Sequence, residues 1–352
     1  MVGRIRSFAE AIREAHVELM SADPTVICYG LGVTDPKAIF GTTTGLLEAF
    51  GPERVFDVPT SEAALTGAAI GAALGGLRPI VSHQRLDFFL LAMDQVVNAA
   101  AKWHYMFGSQ TPVPITIRLI VGRGWGQGPT HSQNLHAWFA HIPGLKVVMP
   151  SNAADAKGLL IASVRDPNPT LFIEHRWLHQ SEGEVMDGDY EVPLGIGALL
   201  EKGDDVTLVA SSIMTTESVR ATRLLRSHGI GCDLIDLRTV RPIDWTLIGQ
   251  SIEKTGRLLV VDSGYTTGSI AGAIVSKVAQ ERFVRLRCAP RVIAMPDISE
   301  PTSFGLTRGF HVGAQEIVKT VIEMCGHGGD PGALVSETDH HDVPGAWFKG
   351  PF

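Results

Sequence analysis

The chain has 352 residues, 45% of them apolar, and a formal net charge of −7. This length allows two or three domains with sizeable cores, and the composition is that of an ordinary globular protein. The acidic balance, without a basic cluster, argues against a nucleic-acid partner, and no apolar run is long enough to span a membrane. The four cysteines are scattered singly and no secretory signal is recognisable near the N-terminus. We therefore expect a cytoplasmic protein that acts on a small molecule.

The first half of the chain alternates short apolar strands with helices. It opens with an amphipathic helix, and strands and helices then follow by turns. The predicted helices are 7–20, 61–77, 88–103 and one beginning near residue 153, and the predicted strands are 25–30, 54–58, 79–82, 115–120, 145–149 and 170–174. This alternation favours an α/β fold with a mainly parallel sheet covered by helices on both faces.

A polar, irregular stretch then divides the chain, and a second, smaller α/β series follows it. Its predicted strands are 206–210, 232–235 and 258–262, and its predicted helices are 216–228 and 314–324. We predict a first domain over 1–180, a linker over 181–200 and a second domain over 201–325. Residues 326–352 lack periodicity and are predicted to be a flexible tail, whose histidines and aspartates could bind a metal or simply form turns.

Glu62 is the only carboxylate between Asp57 and Asp87, and it begins a run of small, almost uncharged residues. A helix with no polar stripe is expected to be buried all round, and its Gly and Ala positions allow a backbone or a flat ligand to approach closely. Thr60 or Ser61 can cap the helix, and the helix dipole favours an acidic group in the first turn. Glu62 is therefore either a buried functional acid or an ordinary helix-start residue.

A glycine-rich loop over 122–128 follows an apolar strand and leads to His131. Its spacing is neither the dinucleotide fingerprint nor a P-loop, which disfavours nucleotide binding by those modes. His131 could transfer a proton near neutral pH, with Ser132 and Gln133 placed to fix its tautomer. It could equally be a structural or solvated loop histidine.

Two further polar stretches follow predicted elements. Residues 84–88 lie at the carboxyl end of a strand, where open α/β sheets bind ligands. Phe88 and Phe89 could stack on a flat ring there or belong to the core. The turn over 165–169 could be ordinary turn chemistry or part of a site for a hard cation.

Six short strings occur along the sequence in a characteristic order and spacing. They are PTSE at 59–62, AMDQVVNAAAK at 92–102, HSQ at 131–133, AHIPGLKVVMP at 140–150, DAKG at 155–158 and RDPNP at 165–169. They resemble the β subunit of the thiamine-diphosphate-dependent 2-oxo acid dehydrogenases, which include the pyruvate, branched-chain and acetoin enzymes of the transketolase superfamily. The resemblance implies a pyrimidine-binding-type domain followed by a smaller transketolase-type C-terminal domain that mainly serves assembly.

The resemblance also implies an active site shared between two chains. In this family an α subunit holds the diphosphate of the cofactor through Mg²⁺, using a Gly-Asp-Gly signature that this chain lacks. The expected assembly is α2β2, which decarboxylates a 2-oxo acid and passes the acyl group to the lipoamide of a lipoyl acyltransferase. Glu62 is then the acid that hydrogen-bonds the aminopyrimidine ring of thiamine diphosphate and promotes its imino tautomer.

The other candidate residues take their roles from the same resemblance. Thr60 packs beside the pyrimidine, and Gln84 and Phe88 contact it and stack on it. His131 faces the reacting end of the cofactor and assists acyl transfer. A structural potassium site built largely from backbone oxygens matches three positions: Ser163, Asp166 and Asn168.

Four features depart from the family pattern, and one of them is an extra Gly/His/Asp-rich tail beyond Cys325. Residues 30–33 read Gly-Leu-Gly-Val where an acidic pair is usual, and Arg85 replaces an apolar residue. The loop over 122–128 brings a cation, Arg123, and a large ring, Trp125, to the approach of His131. These departures leave the substrate and the acyl acceptor open.

Two alternatives follow from the departures. The first is a split transketolase-like or acyloin-forming enzyme with an aldehyde acceptor, in which Arg85, Arg123 and Trp125 recognise a phosphate, a carboxylate or a sugar. The second is a non-catalytic scaffold, which predicts that Glu62→Ala leaves the activity of the complex intact. In every case the small-residue helix from residue 61 and the helix from residue 88 are expected to pack against partner subunits.

Overall fold

The computed structural model describes residues 3–123 and 126–326, together with Val343 and Phe348. Trp125 and nearly all of the predicted tail over 326–352, including its histidines, therefore lie outside the described residues. Within the described ranges, no helix is long and apolar enough to cross a membrane.

The described strands are β1 (Gly3–Ser7), β2 (Val26–Gly30), β3 (Val55–Asp57), β4 (Arg78–His83), β5 (Thr116–Val121), β6 (Lys146–Val148), β7 (Thr170–His175), β8 (Glu182–Met186), β9 (Ala198–Glu201), β10 (Val206–Ala210), β11 (Cys232–Asp236), β12 (Thr239–Arg241), β13 (Leu258–Tyr265) and β14 (Arg291–Met295). The described α-helices are α1 (Phe8–Ala22), α2 (Leu46–Phe50), α3 (Glu62–Leu74), α4 (Leu86–Phe89), α5 (Ala101–Met106), α6 (His136–Ala140), α7 (Ala153–Arg165), α8 (Ile213–Ser227), α9 (Trp245–Thr255), α10 (Ile270–Glu281) and α11 (Ala314–Met324).

The larger sheet has seven strands in the order β12-β6-β7-β5-β4-β2-β3. Its neighbours run parallel, except that β12 pairs antiparallel with β6. The strands β2, β5 and β7 are buried at every position, as expected for a parallel sheet covered on both faces. The predicted α/β class with a mainly parallel sheet is confirmed.

The second sheet has five strands in the order β14-β13-β10-β11-β9, and only the pairing of β9 with β11 is antiparallel. It contains the strands of the predicted second series. A separate two-stranded pair joins β1 to β8 in antiparallel register. The strand β12, which follows β11 in the chain, leaves this second unit and extends the larger sheet, so the two halves share a sheet edge.

Contacts at the edge of the larger sheet fix the position of α3. The Tyr29 hydroxyl on β2 donates a hydrogen bond to the Leu65 carbonyl of α3, at 2.8 Å. The Tyr29 ring also stacks on Phe56 of β3, with centroids 5.1 Å apart. The first turn of α3 is therefore held over the carboxyl ends of β2 and β3.

The structure corrects the prediction that this helix is buried all round. One face of α3 packs on the sheet, while Ala64, Ala68 and Gly71 on the opposite face are exposed in the single chain. The predicted side-chain cap is also wrong, because Ser61 occupies the N-cap position without a side-chain hydrogen bond.

The predicted continuous helix over 88–103 is interrupted. After the short α4, the chain passes through a 3-10 turn at Leu90–Ala92 and a π-helical segment at Gln95–Ala100 before α5 begins. The π-helical segment and the turn both pack against α3.

Candidate active site

A cavity of about 600 Å³ opens where three neighbouring parallel strands end. Its walls are the segments that follow β2, β3 and β4, together with the first residues of α3 and α4. Open α/β sheets bind ligands at this edge. The lining residues are Leu31, Gly32, Thr34, Asp35, Asp57, Val58, Thr60, Glu62, His83, Gln84, Arg85 and Phe88.

Glu62 lines this cavity as the first residue of α3 and is only 6% exposed. Within the described part of the chain, its carboxylate has neither a hydrogen-bond donor nor a cation as partner. Buried carboxylates are normally paired, because burial without a partner is costly. The arrangement therefore leaves an acid ready to bind a group that enters the cavity.

Thr60, Gln84 and Phe88, which were predicted to contact the cofactor, line the same cavity as Glu62. The Phe88 ring is 41% exposed and available for stacking. Phe89 is fully buried against His83, at a centroid distance of 4.8 Å. Phe88 thus faces the cavity, where it can stack on a ligand, and Phe89 belongs to the core.

His131 lies beside the cavity rather than among its lining residues. Its ring meets the Phe88 ring edge-on, with centroids 5.2 Å apart and an angle of 87° between the planes. The Thr130 hydroxyl lies 3.1 Å from Nδ1 and can fix the tautomer. Ser132 and Gln133, which were considered for this role, form no hydrogen bond with the ring through their side chains. The Gln133 amide donates to Asp87, and the Ser132 hydroxyl has no partner within the described residues.

Asp87 holds the segment that carries His131, a role that the sequence did not reveal. Its Oδ1 accepts hydrogen bonds from the Gln133 backbone N–H at 3.3 Å and from the Gln133 amide at 2.8 Å. Because Asp87 precedes Phe88 on α4, one short helix positions both the stacking ring and the loop of the histidine. The sequence does not show this contact, because Asp87 and Gln133 lie far apart along the chain.

His83 and Asp57 also line the cavity and were not assigned roles from sequence. Burial lowers the pKa of His83 to about 3, so its imidazole is neutral, and its Nδ1 has no partner within the described residues. Asp57 accepts hydrogen bonds from the Val33 backbone N–H and the Thr34 hydroxyl, both at 2.6 Å. Asp57 therefore shapes the loop after β2, and His83 is a buried, neutral residue behind the cavity wall.

Gly32 lies against the side chain of Gln84 in this wall. Its φ is +78°, and a Cβ placed there would lie 2.2 Å from Nε2 of Gln84. Only glycine adopts this conformation without strain and leaves room for the amide. The departure from an acidic residue in this loop is thus linked to the position of Gln84.

Arg85 is a buried cation on the cavity wall, 9% exposed. Its guanidinium donates a hydrogen bond to Oε1 of Gln127 at 3.2 Å. The sequence indicated that Arg85 is unusual, and the structure places it in the site.

Arg123 does not take the ligand-facing position that the aldehyde-acceptor alternative gave it. It is 2% exposed and donates to the carbonyls of Pro301 and Thr302, at 3.0 and 3.1 Å. It joins the loop over 122–128 to the second half of the chain. A buried contact between His136 and Asp262, at 2.8 Å, joins the same two halves.

The three predicted potassium ligands lie away from the cavity, at the end of α7 and in the turn after it. The Ser163 hydroxyl donates to the Leu159 carbonyl at 2.7 Å. Oδ1 of Asp166 accepts from the Asn168 backbone and amide nitrogens, at 2.8 and 2.9 Å, and its other oxygen contacts the ammonium of Lys146. Across the described residues there is no cluster of three or more His, Cys, Asp or Glu side chains suited to a metal ion. The potassium site stays a prediction.

Two family models match the chain. Residues 6–180 match the transketolase pyrimidine binding domain, and residues 195–317 match the transketolase C-terminal domain. The predicted domain limits at 180, 200 and 325 stay predictions.

Curated relatives extend the match over most of the chain. The pyruvate dehydrogenase E1 component subunit beta of Rhizobium meliloti is 40% identical over 90% of this chain and 69% of its own length. The corresponding subunit of Rickettsia bellii is 38% identical over 90% of this chain and 97% of its own length. The acetoin:2,6-dichlorophenolindophenol oxidoreductase subunit beta of Cupriavidus necator is 40% identical over 86% of this chain and 92% of its own length.

The chain belongs to the β-subunit family of the thiamine-diphosphate-dependent 2-oxo acid dehydrogenases. Its members are enzyme subunits, and the name of the subunit implies an α partner. A solved structure described as a split gene transketolase, inactive beta4 tetramer, has a TM-score of 0.73 with 23% identity, over 91% of this chain and 98% of that chain. At that identity it supports the fold alone.

The cavity fits the pyrimidine half of thiamine diphosphate, the cofactor that the family implies. A buried carboxylate without a partner among the described residues, an exposed phenyl ring and the amide of Gln84 surround the same space. These groups suit a flat heterocycle with ring nitrogens and an amino group.

Proposed function

We propose that this chain is the β subunit of an α2β2 enzyme that decarboxylates a 2-oxo acid and transfers the acyl group to lipoamide. When bound, thiamine diphosphate supplies the electron sink that allows the 2-oxo acid to lose carbon dioxide. This chain contributes the pyrimidine side of the site. The observation that carries the proposal is the buried Glu62 carboxylate, without a partner among the described residues, in one cavity with Gln84 and Phe88.

Glu62 would share a proton with the pyrimidine ring nitrogen. A buried carboxylate forms a stronger hydrogen bond to a protonated nitrogen than a solvated one, because the surrounding dielectric is low. Its place in the first turn of α3, which Tyr29 ties to β2, fixes its direction. By giving up and taking back this proton, Glu62 would set the protonation state of the bound ring.

The neighbouring residues would orient the ring and handle the reacting end. Phe88 offers a stacking face, while Thr60 and Gln84 supply polar contacts at its rim. His131 is partly exposed beside Phe88 and would move a proton during acyl transfer. Its separation from the pyrimidine wall by the Phe88 ring suits a role at the other end of the cofactor.

The missing half of the site would come from an α subunit that holds the diphosphate and Mg²⁺. The exposed small-residue face of α3 and the segment packed on it support this partner. That segment exposes Leu91, and the following helix and turn expose Tyr105, Met106 and Phe107, at 50% or more of each side chain. Apolar surface of this kind marks protein interfaces. A lipoyl acyltransferase partner, a potassium ion near Asp166 and a cytoplasmic location complete the proposal.

Reconstitution with the α subunit tests the function. The α/β complex is expected to transfer acyl groups from a 2-oxo acid to lipoamide, and Glu62→Gln should reduce that rate by about 100-fold or more. Glu316→Gln is the matched control, because Glu316 is an exposed acid in the first turn of α11. Failure with every 2-oxo acid, or full activity of Glu62→Gln, would contradict the proposal.

The split transketolase-like or acyloin-forming alternative retains one specific support, because the cation Arg85 lines the cavity. This enzyme would use the same Glu62 chemistry but transfer the bound group to an aldehyde. The reconstituted complex should then form a carbon–carbon bond with an aldehyde and leave lipoamide unchanged.

A further inference from the structure

Arg85 carries the only positive charge among the described residues that line the cavity. It follows Gln84 directly at the end of β4 and is 9% exposed. The other basic side chain of the wall, His83, is kept neutral by burial, which lowers its pKa to about 3. A ligand in this cavity therefore meets one cation from the described residues of this chain.

The hydrogen-bond acceptors of the Arg85 guanidinium are neutral. It donates to the Gln84 carbonyl at 3.4 Å and to Oε1 of Gln127 at 3.2 Å. In the described ranges it forms no ion pair with a carboxylate, and Asp87, the acid that acts on it electrostatically, is hydrogen-bonded to Gln133. Buried cations are normally matched by an anion, so a neutral amide leaves most of this charge available.

A second guanidinium stands beside it. Arg176, 2% exposed, donates to the same oxygen of Gln127 at 2.6 Å. The two guanidinium groups lie 6.0 and 5.3 Å from the centroid of the Phe40 ring. Burial, and then the charge of Arg85, lower the pKa of Arg176 to about 9. An anion bound at Arg85 would relieve this repulsion.

The position of Arg85 relates it to the reacting end of the site. Its partner Gln127 belongs to the loop that leads to His131, whose backbone N–H is bonded to the carbonyl of Gly128 at 3.1 Å. Phe88, against which the His131 ring packs, is three residues from Arg85. The guanidinium is thus linked, through Gln127, to the loop that carries His131.

We propose that Arg85 selects a substrate that carries a second oxyanion, a carboxylate or a phosphate, in addition to its reacting carbonyl group. A planar guanidinium binds either oxyanion through paired, charge-assisted hydrogen bonds. This inference rests on the proposed function and names the substrate class of the same site.

Matched substrate pairs in the reconstituted α/β complex separate the two oxyanions. The donor pair is 2-oxoglutarate against 2-oxopentanoate, which have the same chain length and differ in the terminal carboxylate. The acceptor pair is glyceraldehyde 3-phosphate against glyceraldehyde. We expect kcat/KM to favour the charged member of one pair by about 10- to 100-fold, and Arg85→Gln to abolish that preference. Arg85→Lys should retain part of it, since it keeps the charge without the fork.

A binding measurement gives a second readout. Glutarate should raise the melting temperature of the complex more than pentanoate, or glycerol 3-phosphate more than glycerol, and Arg85→Gln should remove the difference. Arg226→Gln is the control, since Arg226 is an exposed residue that pairs with Glu201. If the Arg85→Gln complex fails to assemble, the wild-type complex is compared with the Arg85→Lys complex instead.

Two results would overturn the proposal: no preference for the charged member of either pair, or a preference that both Arg85 variants keep in full. Decarboxylation of 2-oxopentanoate without any charge preference would refute the role of Arg85 and leave the proposed function intact. Failure with every 2-oxo acid would contradict the proposed function, while the melting temperatures would still decide the role of Arg85.

Discussion

Gly32→Ala is expected to weaken cofactor binding, while its free energy of unfolding should fall no more than that of another glycine-to-alanine variant with the same backbone conformation. The residue has φ of +78°, and the new Cβ would lie 2.2 Å from Nε2 of Gln84. Gly45 provides a matched control, because its φ is +76° and a Cβ there would meet nothing within 4 Å. The two variants therefore share the backbone strain and differ in the displacement of Gln84.

The expected magnitudes separate the two effects. Alanine in the left-handed region costs about 1–2 kcal/mol of unfolding free energy in both variants. In Gly32→Ala the amide of Gln84 must also move by roughly 1 Å or more to reach ordinary contact distance. Because Gln84 ends a flexible side chain, this movement adds little to the folding cost. The loss of one hydrogen bond to the cofactor would cost about 1 kcal/mol, which weakens binding by roughly fivefold.

The assay is calorimetric titration of thiamine diphosphate into the α/β complex, alongside urea unfolding of each variant. We expect similar unfolding free energies for the two variants and weaker cofactor binding for Gly32→Ala alone. Equal affinities in the two variants would refute the link between Gly32, Gln84 and the cofactor.

Two further predictions concern a buried ion pair and the loop histidine. Burial raises the pKa of Glu174, but Arg118 and His179 outweigh it and hold the pKa at about 2, below the ordinary 4.5. Its stabilising contribution is therefore present above about pH 4.5 and is lost as the pH falls towards 2. Glu174→Gln should lower the free energy of unfolding by urea by about 3 kcal/mol at neutral pH and make it less dependent on pH. The control Glu191→Gln, at an exposed residue, should lower it by less than about 1 kcal/mol. Equal losses in the two variants would contradict this prediction. His131→Ala should slow acyl transfer by about 100-fold in steady-state assays. The change in cofactor affinity should be smaller, because the His131 ring is not part of the cavity wall. An unchanged rate of acyl transfer would exclude the proton-transfer role.

The course of the first sheet follows from the sequence because its strands are short apolar runs between helices. The interruption of the helix over 88–103 does not, since 3-10 and π segments of three to six residues are too short to show a periodicity different from that of an α-helix. The edge strand Thr239–Arg241 is equally hidden, because its partner β6 lies far away in the chain. The exposed face of α3 shows a further limit: a uniformly apolar pattern indicates burial but not whether the same chain provides it.

The site was partly predictable for a similar reason. Glu62, Thr60, Gln84 and Phe88 come from segments at the ends of adjacent strands, so the topology brings them together. The anchoring of Gln133 by Asp87 and the meeting of Arg85 with Arg176 at Gln127 depend on long-range packing. No periodicity or spacing encodes those contacts.

The central claim is that Glu62 activates the cofactor, and exchange of the thiazolium C2 proton for deuterium measures that activation directly. The exchange can be followed in the assembled α/β complex by acid quenching and NMR, without any substrate. We predict that Glu62→Gln slows exchange by about 100-fold or more while Glu316→Gln leaves it unchanged. Exchange at the wild-type rate in a Glu62→Gln complex that still binds thiamine diphosphate would contradict the account.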